Sequence, residues 1–442
     1  MWPAYADLQS PLSQIKSGTP LEGVECSPVL VLLESPRGTP ACVRDESVDL
    51  LVLRGFAPVG TPAEPALAHM PAGSPHIDNI VSSNNRFSVD FYRQVGGGDD
   101  NVFFSPTNMY VAFSILYEGA RGDTAAELGD VFGIEPDAVK RRAEMAELMS
   151  VLNREDPNYD LHAANALWID SGHRDYVRDA YIDLARDHYM VHVEVLSLAD
   201  AGTDRINEWS SENTNGKLDN ISTEDDFIDK PLAALTSAIY FNANWTHQFP
   251  EEGTTTGKFW TTGSSSVDAE MMSLEAVLPH ASLDGLSLLE LPYKGNRLSM
   301  LVALPAERGG IRDLEESMTP GIISKWREDL SPTDVRVLLP KFRMETEYGL
   351  NAILEGMGIR KIFKNGDLSG IDLPGVSSAR HNAFVDVSER GTEAAATTII
   401  TFSDESVDTR PVFRADHPFI FMIQDDETGA LLFMGRVMDP TI

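Results

Sequence analysis

Ten histidines, two cysteines and an abundance of carboxylates supply this chain with the raw material for catalysis. Their spacing does not supply the chemistry. No serine sits in a Gly-x-Ser-x-Gly elbow and no His-Glu-x-x-His is present, the patterns that would expose a nucleophile or set two imidazoles on one zinc ion. His188 and His192 stand four residues apart, but nothing beside them completes a metal site, so they read as surface histidines. The glycine run at 96–100, Gly-Gly-Gly-Asp-Asp, lacks the lysine and following helix of a phosphate loop and reads as a tight connection. Cys26 and Cys42 both fall in the first 60 residues, where they are either a disulfide of an oxidising compartment or a reduced structural pair. No catalytic residue, metal or cofactor is called for, and the expectation is a protein that is not an enzyme.

Charge narrows the partners. Asp and Glu number 68 against 35 Lys and Arg, a net charge of −33, which repels nucleic acid and anionic lipid. No basic helix face exists to hold a heparin-type polyanion. The acids are spread over every segment, as in Glu251, Glu252, Asp404, Glu405 and Asp425 to Glu427. That spread suits adaptation to high salt, where the Debye length shrinks to about 3 Å at 1 M, better than one patch steering a basic partner. No run of 18 apolar residues is present to span a membrane. Met1-Trp2-Pro3-Ala4-Tyr5 has no basic flank or apolar stretch and does not read as a signal peptide, so either the start is mis-set or export uses another route. Asn220 and Asn244 head sequons that would take glycans only on an exported chain.

The elements that would position a site divide unevenly along the chain. Residues 1–60 form a small module: Val29 to Leu33 reads as a strand, Ser35 to Gly38 as a turn and Ser47 to Arg54 as a short helix stopped by Gly55. Residues 61–76 hold four prolines and read as a linker. From 77 to 442 the pattern is one large domain. Helical spacing is found in Asn108 to Tyr117, Ala125 to Phe132, Pro136 to Leu152, Tyr176 to Asp187, Arg205 to Asn213, Ile311 to Leu330 and Glu347 to Met357. Strand-like runs are Leu161 to Ile169, Ala234 to Phe241, Leu286 to Leu291, Leu298 to Leu304, Val335 to Phe342, His381 to Val387 and Phe419 to Ile423. Helices and long strands without regular alternation indicate an α+β fold with large antiparallel or mixed sheets.

Several segments then resemble the serpin family, in order and spacing. They are "NVFFSPTNMYVAFSILYEGARGDTAAEL" (101–128), "ANALWID" (164–170), "INEWSSENTNGKL" (206–218), "LTSAIYFNANWTHQF" (235–249) and "LELPYKGNRLSMLVALP" (289–305). "LLPKFRMETEYGLNAILEGMGI" (338–359), "VDVSERGTEAAATT" (385–398) and "FRADHPFIFMIQDDETGALLFMGRVMDP" (413–440) complete them. The resemblance covers about 77–442 and implies about nine helices, an exposed reactive loop, a monomer, and a covalent complex with a target endopeptidase outside the cell. Residues 8–60 resemble a small module of predicted secreted archaeal proteins that often carries two cysteines, here Cys26 and Cys42.

In serpins the target protease cleaves the loop, and the freed segment enters the main sheet as a new strand, a release of stored strain. Such a strand must lack proline and keep charge off its core face. Gly391 to Thr409 has no proline. Side chains alternate across a strand, so Thr392, Ala394, Ala396, Thr398, Ile400 and Phe402 share one uncharged face. Glu393, Ala395, Thr397, Ile399, Thr401 and Ser403 share the other. The scissile bond falls at Glu405–Ser406 or Asp404–Glu405, implying a protease with a basic primary pocket, or after Phe402, implying an apolar one.

The resemblance also implies a polar cluster holding the strands that must part, at Ser105, Asn108, Ser237 and His381. Relatives commonly have Ser at the first of the middle two and Asn at the second. Trp245 matches an aromatic beside the hinge, and Lys341 and Glu389 match a strand-to-strand pair there. Each has a plainer reading, as a core histidine, a core tryptophan and a solvated ion pair. A binding, carrier or chaperone-like protein on the same fold is the competing function.

Overall fold

A computed structural model of the chain describes residues 14, 16, 24, 26, 30–34, 39–44, 57–58, 77–154, 156–227, 233–364, 366–371, 376, 378–392 and 410–442. It divides into two compact units, Met1–Met70 and Pro71–Ile442. In the first unit, β1 (Leu30–Glu34) pairs with β2 (Pro40–Arg44) on one side and β3 (Ala57–Pro58) on the other, all antiparallel. Cys26 and Cys42 are joined by a disulfide. The turn expected at 35–38 and the helix expected over Ser47 to Arg54 lie outside the described residues, as does the proline-rich stretch 61–76.

Nine α-helices occur among the described residues of the second unit. They are α1 (Asp78–Val95), α2 (Pro106–Gly119), α3 (Gly122–Phe132), α4 (Ala138–Leu152) and α5 (Asp179–Tyr189). The others are α6 (Leu198–Asn213), α7 (Ile311–Ser317), α8 (Pro320–Asp329) and α9 (Leu350–Met357). Local chemistry sets several of their starts. Ser105 caps α2 by accepting the Asn108 N–H, with Pro106 in the first turn. Asp137 caps α4 through the N–H groups of Val139 and Lys140.

The single helical stretch expected over Ile311 to Leu330 is two helices. Thr319 precedes Pro320, is forced extended, and caps the second helix by accepting the Ile322 N–H. Glu347 to Gly349 is strand, so α9 starts later than its periodicity suggests. Helix α1 escaped the reading because Ser82, Ser83, Asn84 and Asn85 interrupt its apolar period. Asn84 is nonetheless buried, with its amide donating to the Leu431 carbonyl.

Two large sheets carry the rest. The first contains β5 (Tyr159–Asp170), β6 (His192–Leu196), β7 (Ala233–Asn244), β13 (Phe342–Gly349), β14 (Ser378–Ser388) and β15 (Gly391–Thr392), in the order β13-β14-β15-β7-β5-β6. The second is built on β9 (Val267–Leu283), which pairs with β8 (Thr255–Phe259), β10 (Leu286–Pro292) and β12 (Ser331–Pro340). It continues through β11 (Leu298–Pro305), β17 (Phe419–Asp425) and β18 (Leu431–Val437) to β4 (Val102–Phe104), with β16 (Val412–Arg414) along β12. The run expected as one strand over Val335 to Phe342 breaks at Lys341, where the chain passes from one sheet to the other.

Strand β7 is buried on both faces, which explains its nearly unbroken apolar text. Leu235, Ile239, Phe241 and Ala243 join the main core, while Ala234 and Ala238 join Trp168, Trp209 and Ile206 in a second cluster with α6. The main core is rich in rings. Phe433 of β18 lies 5.3 Å from Phe103 and 5.8 Å from Phe241, tying the two sheets together. Replacing a buried ring leaves a cavity costing roughly 3–5 kcal/mol. Phe433→Ala is therefore expected to lower the unfolding free energy by that amount, seen as a lower urea midpoint, and an unchanged midpoint would contradict the packing.

Candidate functional site

The site is a seam between two strands. β14 and β7 run parallel and pair from Ser378↔Ala234 to Ala383↔Ile239. Beyond those pairs they part, and the two residues of β15 lie between them. Thr392 stands opposite Val387 on β14 and opposite Ala243 on β7, antiparallel to both. A short third strand is thus already seated at one end of an otherwise closed parallel junction.

Gly391 makes that seating possible. Its φ is +153°, and a Cβ there would lie 2.0 Å from the Ala243 carbonyl oxygen, so only glycine fits. Thr392 is 1% exposed and its hydroxyl shares a 2.8 Å hydrogen bond with the Tyr293 hydroxyl. Complete burial raises the pKa of that phenol, which stays neutral. Trp245 stacks on Tyr293 with ring centroids 4.4 Å apart, and its indole N–H donates to the Ser388 carbonyl. Thr392 therefore points into the core, in an aromatic niche.

The turn between β14 and β15 is pinned on its outer side. Phe249 N–H donates to the Glu389 carbonyl, and Trp245 N–H to that of Arg390. The Glu389 carboxylate accepts the Thr254 hydroxyl at 2.7 Å and lies 3.4 Å from the Lys341 ammonium, which is also 3.6 Å from Glu270. Burial works to raise the Glu389 pKa, but Thr254, its own backbone and Lys341 together hold it below the usual carboxylate value. Arg390 pairs with Glu251.

At the other end of the seam lies a buried polar cluster. His381 Nε2 accepts the Ser105 backbone N–H at 2.9 Å, and its Nδ1 is 3.5 Å from the Ser237 hydroxyl. His381 and Ser237 are register partners across β14 and β7. Asn108 reaches up from α2 and donates to the Ala238 carbonyl of β7 at 3.0 Å. Asn165 of β5 in turn donates to the Asn108 side-chain oxygen at 2.8 Å. Burial pushes the His381 pKa down to about 3, so the ring is neutral and its two nitrogens have different jobs.

Ser105, Asn108, Ser237 and His381 are thus brought together. Trp245 and Lys341 are not part of that cluster: Trp245 follows Ser237 by eight residues, roughly 25 Å along an extended chain. They belong with Glu389, Gly391 and Thr392 at the wedge. Glu393, Ala394, Ala395, Ala396, Thr397, Thr398, Phe402, Asp404, Glu405 and Ser406 lie outside the described residues. Tyr293, Thr254, Tyr348 (stacked on His381) and Asn165 were missed in the sequence. Asn165 had a signal, as the lone amide inside the apolar run Ala163 to Ile169. His188 and His192 sit on different elements; His192 bonds to Glu194 and packs against Trp168.

The family model described as Serpin (serine protease inhibitor) matches residues 82–440. An uncharacterized serpin-like protein of Thermococcus kodakarensis is 36% identical over 374 residues, covering 82% of this chain and 86% of that protein. Serpin B3 of Homo sapiens is 30% identical over 397 residues, covering 82% of this chain and 100% of its own length. Among solved structures, human thyroxine-binding globulin superposes with a TM-score of 0.76 at 26% identity, covering 83% of this chain and 100% of that one.

The depressed pKa of His381 carries a pH signature. The unfolded chain gains a proton as pH falls through about 6.5, whereas the folded chain gains it only near 3. The stability present above pH 6.5 is therefore lost as pH falls, by roughly 1.4 kcal/mol per unit across that window. Melting His381→Gln beside the parent at pH 7 and 4.5 should show about 2–3 kcal/mol less acid destabilisation in the variant. Parallel losses in the two proteins would contradict a buried neutral imidazole.

Proposed function

The chain belongs to the serpin family, and we propose that it inhibits serine endopeptidases as a suicide substrate, with cysteine endopeptidases the other class that forms an acyl-enzyme. The observation that carries this reading is the two-residue strand already wedged between β7 and β14, with Thr392 facing the core. Alternation then sends Ala394, Ala396, Thr398, Ile400 and Phe402 to the same inner side as the strand lengthens, while Glu393 stays outside. No proline interrupts the run before Pro411.

The register supports the same motion. Six residues beyond Thr392 is Thr398, six before Val387 is His381, and six before Ala243 is Ser237. A strand lengthening in that register carries the Thr398 hydroxyl between His381 and Ser237, where it replaces their hydrogen bond. The parallel pairing of β14 with β7 gives way to two antiparallel ladders, and one row of hydrogen bonds becomes two. Cleavage of the loop frees the segment to make this exchange, and the acylated protease is carried with it.

A cut at Glu405–Ser406 or Asp404–Glu405 suits a target with a basic primary pocket, and one after Phe402 an apolar pocket. The Cys26–Cys42 disulfide supports action outside the cell, and the dispersed acidity supports work in high salt. No helix among the described residues is long and apolar enough to cross a membrane. The likeness to thyroxine-binding globulin favours a second reading, a carrier that binds a small ligand on this fold.

Three measurements separate the readings. Incubation with a small protease panel should yield an SDS-resistant complex and, by mass spectrometry, one cleaved bond. The nicked protein should melt at least about 10 °C higher than the intact one, because it gains a strand worth several kcal/mol. Thr392→Arg buries a charge in the wedge, at several kcal/mol, and should turn the inhibitor into a plain substrate. A nicked form no harder to melt, with the protease still active, would leave the carrier reading standing.

A further inference from the structure

Strand β5 has an incompletely covered edge. β7 pairs with it from Tyr159 onward, but β6 joins its other side only from Ala166. Among the described residues, the outer edge from His162 to Asn165 has no strand beside it. A cleft of about 180 Å³ opens there, walled by Asn153, Asn165, Met190, His192, Trp209 and Asn213 among others.

The chemistry of this lining is one-sided. No Lys, Arg, Asp or Glu takes part. Asn165 is 2% exposed, and its side-chain oxygen is buried with no hydrogen-bond partner, although its amide nitrogen is committed to Asn108. Buried acceptors of this kind are rarely left unmatched. Asn213 and Asn153 have their amide nitrogens committed to the Trp209 and Met149 carbonyls, which leaves their oxygens as the available acceptors. The walls are aromatic and apolar: Trp209 stacks with His192, and Met190, in left-handed backbone at the end of α5, is 52% exposed at the rim.

Acceptor oxygens with no lysine or arginine among the lining residues favour a group that brings N–H donors and positive charge. A chain with net charge −33 concentrates such cations around itself. We propose that this cleft binds a small organic primary ammonium, its N–H groups on the asparagine oxygens and its apolar body against Trp209 and Met190.

The cleft is wired to the seam. Asn165 donates to Asn108, and Asn108 donates to the backbone of β7. An ammonium on the Asn165 oxygen fixes the orientation of that amide and so strengthens the link from β5 through α2 to β7. The bound state holds these strands together more tightly, whatever the fate of the loop.

The test uses the intact full chain and benzylamine at pH 7, where it is an ammonium, with benzyl alcohol and benzoate as isosteric controls. Calorimetry should show saturable one-to-one binding of benzylamine, benzyl alcohol at least tenfold weaker and benzoate absent. Met190→Arg places a cation at the exposed rim without touching the core and should weaken benzylamine at least tenfold. Hydrogen exchange over Ala233–Asn244 should slow when benzylamine is bound. Absent binding, equal binding of the alcohol, or an unaffected Met190→Arg would overturn the site, and unchanged exchange would overturn its link to the seam. None of these readouts depends on protease inhibition, so the site and the inhibitory reading stand or fall separately.

Discussion

Two parallel strands that pair with each other only in part set the terms for this structure. β7 and β14 are central strands of the same sheet, yet their backbones meet over six register pairs and then diverge around Gly391 and Thr392. Buried backbone amides and carbonyls need partners, so an opened junction at the middle of a sheet is under constant pressure to be filled. The chain meets that pressure at one end with two residues of its own. At the other end it closes the junction with His381, a neutral ring that takes the Ser105 N–H on one nitrogen and meets Ser237 with the other.

The two ends are built differently because they do different work. The wedge depends on shape: a glycine in a backbone region closed to side chains, then a threonine whose hydroxyl finds Tyr293 under the stacked Trp245. The latch depends on polar groups in a dry interior, where each hydrogen bond is strong and each broken one is expensive. Asn108 extends it from the helix beneath to β7, and Asn165 from there to β5. β14, β7 and β5 are thereby tied to α2 and to one another through side chains as well as through their backbone ladders.

Cations, scarce in this composition, are used heavily inside. Arg436 is fully buried and gathers the carbonyls of Gly96, Gly98 and Asp100, with Glu315 as its counter-ion. Arg297 lies against Asp425, and Arg141 and Arg142 grip Glu118, which Tyr189 also reaches. The glycine run read as a tight connection is thus an acceptor cradle for the guanidinium groups of Arg312 and Arg436.

Much of this was legible in the sequence. The helices with unbroken periods, the apolar text of β7, the proline-free run after Gly391 and the alternation that separates Glu393 from Thr392 are local properties, fixed by side-chain spacing and backbone sterics. The cap at Ser105 and the break at Pro320 are local as well, yet the apolar period running over Ile311 to Leu330 masked the break. What tertiary structure decided is contact between segments far apart in the chain. That Thr392 meets Tyr293, that Asn165 completes the cluster around Asn108, and that Asn84 is buried against Leu431 all depend on contacts between segments 57 to 347 residues apart in the chain. Strand register is set by how whole sheets pack, and a one-residue slip would turn Thr392 and Asn165 to the opposite face.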